Sequence, residues 1–110
     1  MLETLLDKPT DAERCGLILD GDTVVEIDNV ADNPSESFMM DPVQVLPHLT
    51  KGNVTGTWHT HPHSDPTLSG DDYAGFSGWP DLKHHIIGRR GGKVVVEIYE
   101  IKDGAILKCA

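Results

Sequence analysis

The stretch Gly56-Thr57-Trp58-His59-Thr60-His61-Pro62-His63-Ser64-Asp65-Pro66-Thr67-Leu68-Ser69-Gly70-Asp71-Asp72 decides how this chain folds. Together with Val54-Thr55, its first part is rich in β-branched and aromatic residues and predicts a strand from Val54 to Thr60. Pro62 stops that strand, and Pro62 to Leu68 is long enough to reverse the chain. Ser69 then caps a short helix through Asp72, Tyr73 and Phe76, which Gly70, Gly75 and Gly78 weaken and Pro80 ends. Side chains alternate faces along a strand, so His59 and His61 project from the same one. Trp58 alternates with them and is expected to face a core.

Upstream, Leu2, Leu5 and Leu6 give the opening residues a short amphipathic helical face, which Pro9 interrupts. Cys15 to Asp20 reads as a buried strand, and Asp20-Gly21-Asp22 turns it into a second strand over Thr23 to Ile27. Asn29 to Ser37 should be loop, with a short extended piece around Phe38-Met39-Met40. Asp41-Pro42 is an N-cap followed by proline at the first helical position, and Val43, Leu46 and Leu49 repeat on one face. Pro47 removes an intrahelical hydrogen bond, so this helix is expected to be short and kinked or to start later. Downstream, strands are predicted over Leu82 to Gly88 and Lys93 to Ile101, joined by Arg89-Arg90-Gly91-Gly92, and Asp103-Gly104 leads into a last strand from Ala105 to Cys109. The expectation is a single α+β domain over residues 1–110, a mixed β-sheet of about six strands flanked by two or three helices.

At 110 residues the chain has room for one hydrophobic core but not two. A formal net charge of -9 argues against a phosphate-backbone partner, which requires clustered Lys and Arg, so no nucleic acid is expected. No run approaches the roughly 18 apolar residues of a membrane span, and Met1-Leu2-Glu3 does not begin a secretory signal, which makes the cytoplasm the default location and a membrane partner unexpected. Cys15 and Cys109 lack CxxC spacing and are expected to be reduced thiols.

His59, His61 and Asp72 supply two neutral imidazoles and one carboxylate, a donor set suited to zinc that leaves a fourth tetrahedral position for water. Hydrolysis at such a centre also needs a group to take the water proton and pass it on. Among Glu3, Glu13, Glu26, Glu36, Glu97 and Glu100, Glu13 is the best placed, immediately before the buried strand. Ser69 is then free to donate its hydroxyl to a developing oxyanion.

His59-x-His61-Pro62, the seven residues between His61 and Ser69, and Ser69-x-x-Asp72 together resemble the signature of the JAMM (JAB/MPN-type) metalloproteases. Glu13, ahead of Cys15-Gly16-Leu17, looks like that family's upstream glutamate. Asp28-Asn29-Val30-Ala31-Asp32-Asn33-Pro34 and the Asp41-Pro42 helix start are similar to compact prokaryotic and phage members. The resemblance implies a cytidine-deaminase-like JAB/MPN architecture and a zinc-dependent hydrolase of amide bonds. In that family the activity is often that of an isopeptidase on ubiquitin or a ubiquitin-like or sulfur-carrier protein. It implies Zn2+ on His59, His61 and Asp72, with Glu13 and Ser69 catalytic and a protein or peptide as the substrate partner. Gly78-Trp79-Pro80 looks somewhat like the phage tail branch, whose members serve as modules of larger assemblies and would be virion-associated. The chain is short around the site, without the insertions by which eukaryotic relatives grip ubiquitin.

Each assignment has a plainer alternative, which for His59 and His61 is a pair of surface-strand histidines. Ser69 and Asp72 together approach a capping box, and Asp72 alone suits a helix first turn. Glu13 could be a solvated charge beside Arg14, and His63, next to Pro62, a solvated loop residue. His48, His84 and His85 are expected to be structural or exposed. A closed structural zinc site would recruit His63 or a cysteine as a fourth ligand.

Overall fold

The apolar run Cys-Gly-Leu-Ile-Leu forms strand β1 (Cys15–Leu19), which turns at Asp20-Gly21 into β2 (Thr23–Ile27) in the computed structural model. Residues 11–66, 78–79 and 81–109 are described. Helix α1 (Pro42–Lys51) and strands β3 (Val54–Thr60), β4 (Lys83–Arg90), β5 (Lys93–Lys102) and β6 (Ala105–Lys108) follow. The strands form one six-stranded sheet in the order β2-β1-β3-β4-β5-β6. Among the described residues only β3 and β4 pair in parallel, so the sheet is mixed as expected and the architecture is α+β. The helices expected at Leu2–Leu6 and from Ser69 to Phe76 lie outside the described residues. Among the described residues, no helix is long and apolar enough to cross a membrane.

Register follows from alternation. Leu17, Leu19 and Ile27 point to one face of the sheet, where Val45 of α1 and Trp79 pack on them. Ile18, Trp58 and Ile87 form a second cluster with Val24, Val94 and Val96. Trp58 is fully buried, as its place in the strand implied, and its indole N–H reaches the Val25 carbonyl at 3.2 Å. That path crosses Gly16, where a Cβ would lie 2.5 Å from the indole nitrogen.

Two sequence expectations need correction. The helix is neither delayed nor cut short by Pro47, but runs ten residues from an Asp41 cap whose side chain accepts from the Val43 N–H. Pro47 sits on the exposed side, where water can satisfy the carbonyl left without an amide partner. The apolar repeat Val43, Leu46 and Leu49 faces outward, with 77%, 63% and 42% of each residue exposed. The Gln44 amide clips Asp28 through its backbone N–H and its carboxylate, both at 2.8 Å, and the neighbouring Val45 packs inward on Leu17, Leu19 and Ile27.

The β4–β5 turn is also tighter than expected. Gly91 and Gly92 both take positive φ, 59° and 79°, a two-residue turn that suits the twist of an antiparallel pair. Arg89 and Arg90 therefore belong to β4, and Arg90 pairs with Lys93. That extra length brings the Arg90 side chain to the loop that leaves β3, where it meets Asp65.

Candidate metal centre

His59 lies near the end of β3 and His61 just beyond it, where the His61 N–H still donates to the Ile87 carbonyl at 2.8 Å and holds the backbone on β4. The two imidazoles share a face, as alternation predicts, and their Nε2 atoms are 3.1 Å apart. Both residues are buried. The His61 Nδ1 is 3.0 Å from the Asp65 carbonyl. A carbonyl can only accept, so Nδ1 carries the hydrogen, and in the neutral ring Nε2 is the nitrogen left with the lone pair. The Phe38 ring stacks on His59 with centroids 4.3 Å apart and walls one side of the pair.

Glu13 reaches the same place from far away in sequence. β1 and β3 run antiparallel with Cys15 opposite His59, so two residues upstream the chain is level with His61. Thr60 donates its N–H to the Arg14 carbonyl at 2.8 Å and accepts the Arg14 N–H on its hydroxyl at 2.9 Å, which carries the pairing past the end of β1. The Glu13 N–H donates to the Pro34 carbonyl at 2.6 Å, and its own carbonyl accepts from Asn29 Nδ2 at 2.8 Å. Ligand atoms of Glu13, His59 and His61 all lie within 4.8 Å of one another, and all three residues are buried. Such a cluster of one carboxylate and two imidazoles can hold a metal ion or pass a proton beside one. Ser69 and Asp72 lie outside the described residues, so the structure brings together three of the five expected site residues and describes no position for the other two.

Other titratable groups are committed elsewhere. His84 is buried, with Nδ1 2.6 Å from the Thr57 hydroxyl and Nε2 3.0 Å from the Trp79 carbonyl. Burial pushes its pKa down, against the pull of the Trp79 carbonyl, and the neighbouring His59 and His85 add to the lowering. His85 is lowered in the same way, mainly by burial. Both fit the structural role expected of them. His63 is exposed and meets the Asp11 carboxylate at 2.7 Å. Cys15 is buried and free, and burial, with the nearby carboxylates of Glu26, Glu13 and Asp28, pushes its thiol up to about 12. Burial raises the Glu97 carboxyl, but the contacts with Lys108 and Arg90 outweigh it and hold the group below the ordinary glutamate range. Glu97 is therefore bound up in ion pairs, whereas Glu13 adjoins the imidazoles.

Sequence reasoning did not identify Asn29, Phe38, the Asp65 carbonyl or Arg90. Asn29 carries the clearest overlooked signal, an Asn two residues past the end of a strand and at the start of a loop, where its amide can bridge backbone groups. The others act through contacts that local pattern does not encode.

Residues 5–101 match the family described as prokaryotic homologs of the JAB domain. Among solved structures, the chain is similar to the solution structure of a Desulfitobacterium hafniense protein. The two are 26% identical with a TM-score of 0.75, over 97% of this chain and 84% of that one. A Salinibacter ruber protein, 15% identical with a TM-score of 0.59 over 96% of this chain and 79% of its own, shares the fold. No curated protein matches the chain. With the family spanning nearly the whole sheet, the chain belongs to the prokaryotic homologs of the JAB domain.

Proposed function

We infer that the chain is a zinc-dependent hydrolase of amide bonds, a peptidase or isopeptidase whose substrate is the C-terminal region of a protein such as a ubiquitin-like or sulfur-carrier protein. The observation that carries this is the buried convergence of Glu13 with His59 and His61. The imidazole geometry fits the ion. Two ligands on a tetrahedral zinc, each at roughly 2.0–2.1 Å, stand about 3.3 Å apart, close to the 3.1 Å between the two Nε2 atoms. His59 and His61 would hold the zinc with Asp72 as third ligand. When bound, zinc polarises the scissile carbonyl and lowers the pKa of its water to about 7.

The protein groups then divide the remaining work. The Glu13 carboxylate accepts the proton of the attacking water and delivers it to the leaving amine. Bonds to Pro34 and Asn29 hold the Glu13 main chain in place between those events. The Ser69 hydroxyl donates a hydrogen bond to the carbonyl oxygen as it gains charge. Phe38 shields the His59 ring and keeps that side of the centre dry.

The test is turnover of a ubiquitin-like protein carrying a C-terminal amide extension, with and without zinc, for the wild type, Glu13→Gln and Glu13→Ala. Loss of at least about 100-fold in turnover with zinc still bound is expected, in the usual range for a general acid–base group. Full zinc-dependent turnover in both variants would remove Glu13 from the chemistry.

A second reading, an accessory JAB-fold module in a larger assembly such as a phage tail, is favoured by the outward Val43, Leu46 and Leu49 stripe of α1. Metal content discriminates. Purified protein that carries no zinc and gains no thermal stability from added zinc favours the module, because a ligand of the native state stabilises it by mass action.

A further inference from the structure

We propose that Arg90 is a positioning residue for the metal centre, gripping the Asp65 carboxylate so that the Asp65 carbonyl holds the His61 ring in its ligating orientation. The inference rests on His61 being a metal ligand.

The chain of contacts runs unbroken from β5 to the imidazole. Glu97 of β5 is almost wholly buried, with 4% of its side chain exposed, and takes the Arg90 guanidinium at 2.6 Å. Lys108 of β6 binds the other Glu97 oxygen at 2.6 Å, so the buried carboxylate is neutralised from both sides. Arg90 turns its remaining donors to Asp65, Nε to Oδ2 at 2.7 Å and Nη2 to Oδ1 at 2.8 Å. This fork fixes both the distance and the plane of the carboxylate, which a point charge would not do. The Asp65 main-chain carbonyl accepts from His61 Nδ1 at 3.0 Å.

The carbonyl needs a side-chain anchor because the next residue is a proline. Pro66 has no N–H, so the Asp65–Pro66 peptide plane has no amide through which to bind β4. One residue earlier the backbone is fixed, since Ser64 accepts from the Arg89 N–H at 2.8 Å. Burial of the Pro66 ring holds the peptide from one side and the Arg90 fork holds it from the other. Partners that orient a ligating imidazole typically change metal affinity by roughly 10–100-fold when removed.

The experiment needs no substrate. Metal-free wild type, Arg90→Leu, Arg90→Lys, Asp65→Asn and His61→Ala are titrated with Co2+, followed by the visible d–d absorption, and with Zn2+ against a chelator. Arg90→Leu and Asp65→Asn should each weaken Co2+ and Zn2+ binding about 10–100-fold and alter the d–d band at saturation. A protein carrying both Arg90→Leu and Asp65→Asn, titrated in the same way, should be no worse than either single change, as expected of one coupled contact. Arg90→Lys should recover part of the affinity but not the band shape. Equal thermal unfolding of the metal-free proteins separates orientation from folding, and Lys108 remains to neutralise Glu97 in every variant. If His61→Ala loses the metal while Arg90→Leu and Asp65→Asn bind with wild-type affinity and band, Arg90 has no positioning role and the metal centre stands. If His61→Ala binds as the wild type does, His61 is not a ligand and both the centre and the role of Arg90 fall.

Discussion

Gly88→Ala isolates the link between the sheet and the His61 loop. Gly88 lies in β4 under that loop, and a Cβ there would sit 2.6 Å from the Pro66 nitrogen, 2.6 Å from the Ser64 carbonyl oxygen and 2.9 Å from the Asp65 carbonyl carbon. All three are backbone atoms, so no side chain can rotate away. Ordinary contact begins at 3.4 Å, and the loop or the strand must therefore yield by about 0.8 Å. Overpacking of this kind typically destabilises by about 1–3 kcal/mol. For a domain of this size that lowers the melting temperature by about 4–8 °C per kcal/mol. The Asp65 carbonyl carbon itself must yield by about 0.5 Å, which, directed away from the ring, stretches the 3.0 Å contact to His61 Nδ1 to about 3.5 Å, the edge of hydrogen-bonding range. The expected result is a lowered melting temperature together with zinc affinity reduced by about 10-fold or more. Differential scanning calorimetry and chelator competition read the two effects separately. A Gly88→Ala protein with wild-type stability and wild-type zinc affinity would refute the claim that this loop rests on β4 and orients His61.

The same geometry sets the outcome of two other perturbations. Asn29→Ala removes an amide that donates to the Glu13 and Ser37 carbonyls and accepts from the Ala31 and Met39 N–H groups, so urea denaturation should show a loss of about 1–3 kcal/mol. Asn29→Asp keeps an oxygen to accept both N–H groups but loses the bonds donated to the Glu13 and Ser37 carbonyls, and should lower turnover more than zinc affinity, since Asn29 bonds the Glu13 main chain directly and meets His59 only through the Phe38 segment. For pH, His84 and His85 have folded-state pKa values below the ordinary histidine value of 6.5, chiefly through burial. Below pH 6.5 the unfolded chain therefore binds more protons than the native one. The stability these neutral imidazoles contribute is present above that pH and is lost as pH falls toward their folded-state values. Urea midpoints should drop between about pH 7.5 and 5.5, and His84→Gln should flatten the drop; an unchanged slope in that variant would remove His84 from the effect.

The sheet was readable from sequence because its signals are local. β-branched runs bounded by Asp20-Gly21, Gly91-Gly92 and Asp103-Gly104 mark hairpins wherever they occur, and β3 runs from Val54 to Thr60 as expected. The helix start was readable for the same reason, since Asp41 and Pro42 act within one turn. Which side of α1 faces the sheet was not. Three apolar residues at a spacing of three define a stripe but not its direction, and the helix instead packs through Val45 while Gln44 bonds Asp28, sixteen residues away. The partners that orient the site share this character, because Asp65 works through its carbonyl, and Asn29 and Arg90 work through other residues.

Register brings the histidine pair and the distant glutamate into one cluster. His59 and His61 share a face whatever they pair with, because alternation is a property of a single strand. Glu13 joins them only because Cys15 stands opposite His59 and not opposite Trp58 or Thr60. A slip of one residue between β1 and β3 would turn Glu13 to the opposite face and carry Leu17 and Leu19 out of their cluster with Val45. The same alternation that buries Leu17 thus aims Glu13, so the packing of the core excludes the one-residue slips that would carry the carboxylate to the face away from the imidazoles. The apolar residues of β1 therefore help to set where Glu13 stands relative to His59 and His61, although none of them belongs to the candidate cluster.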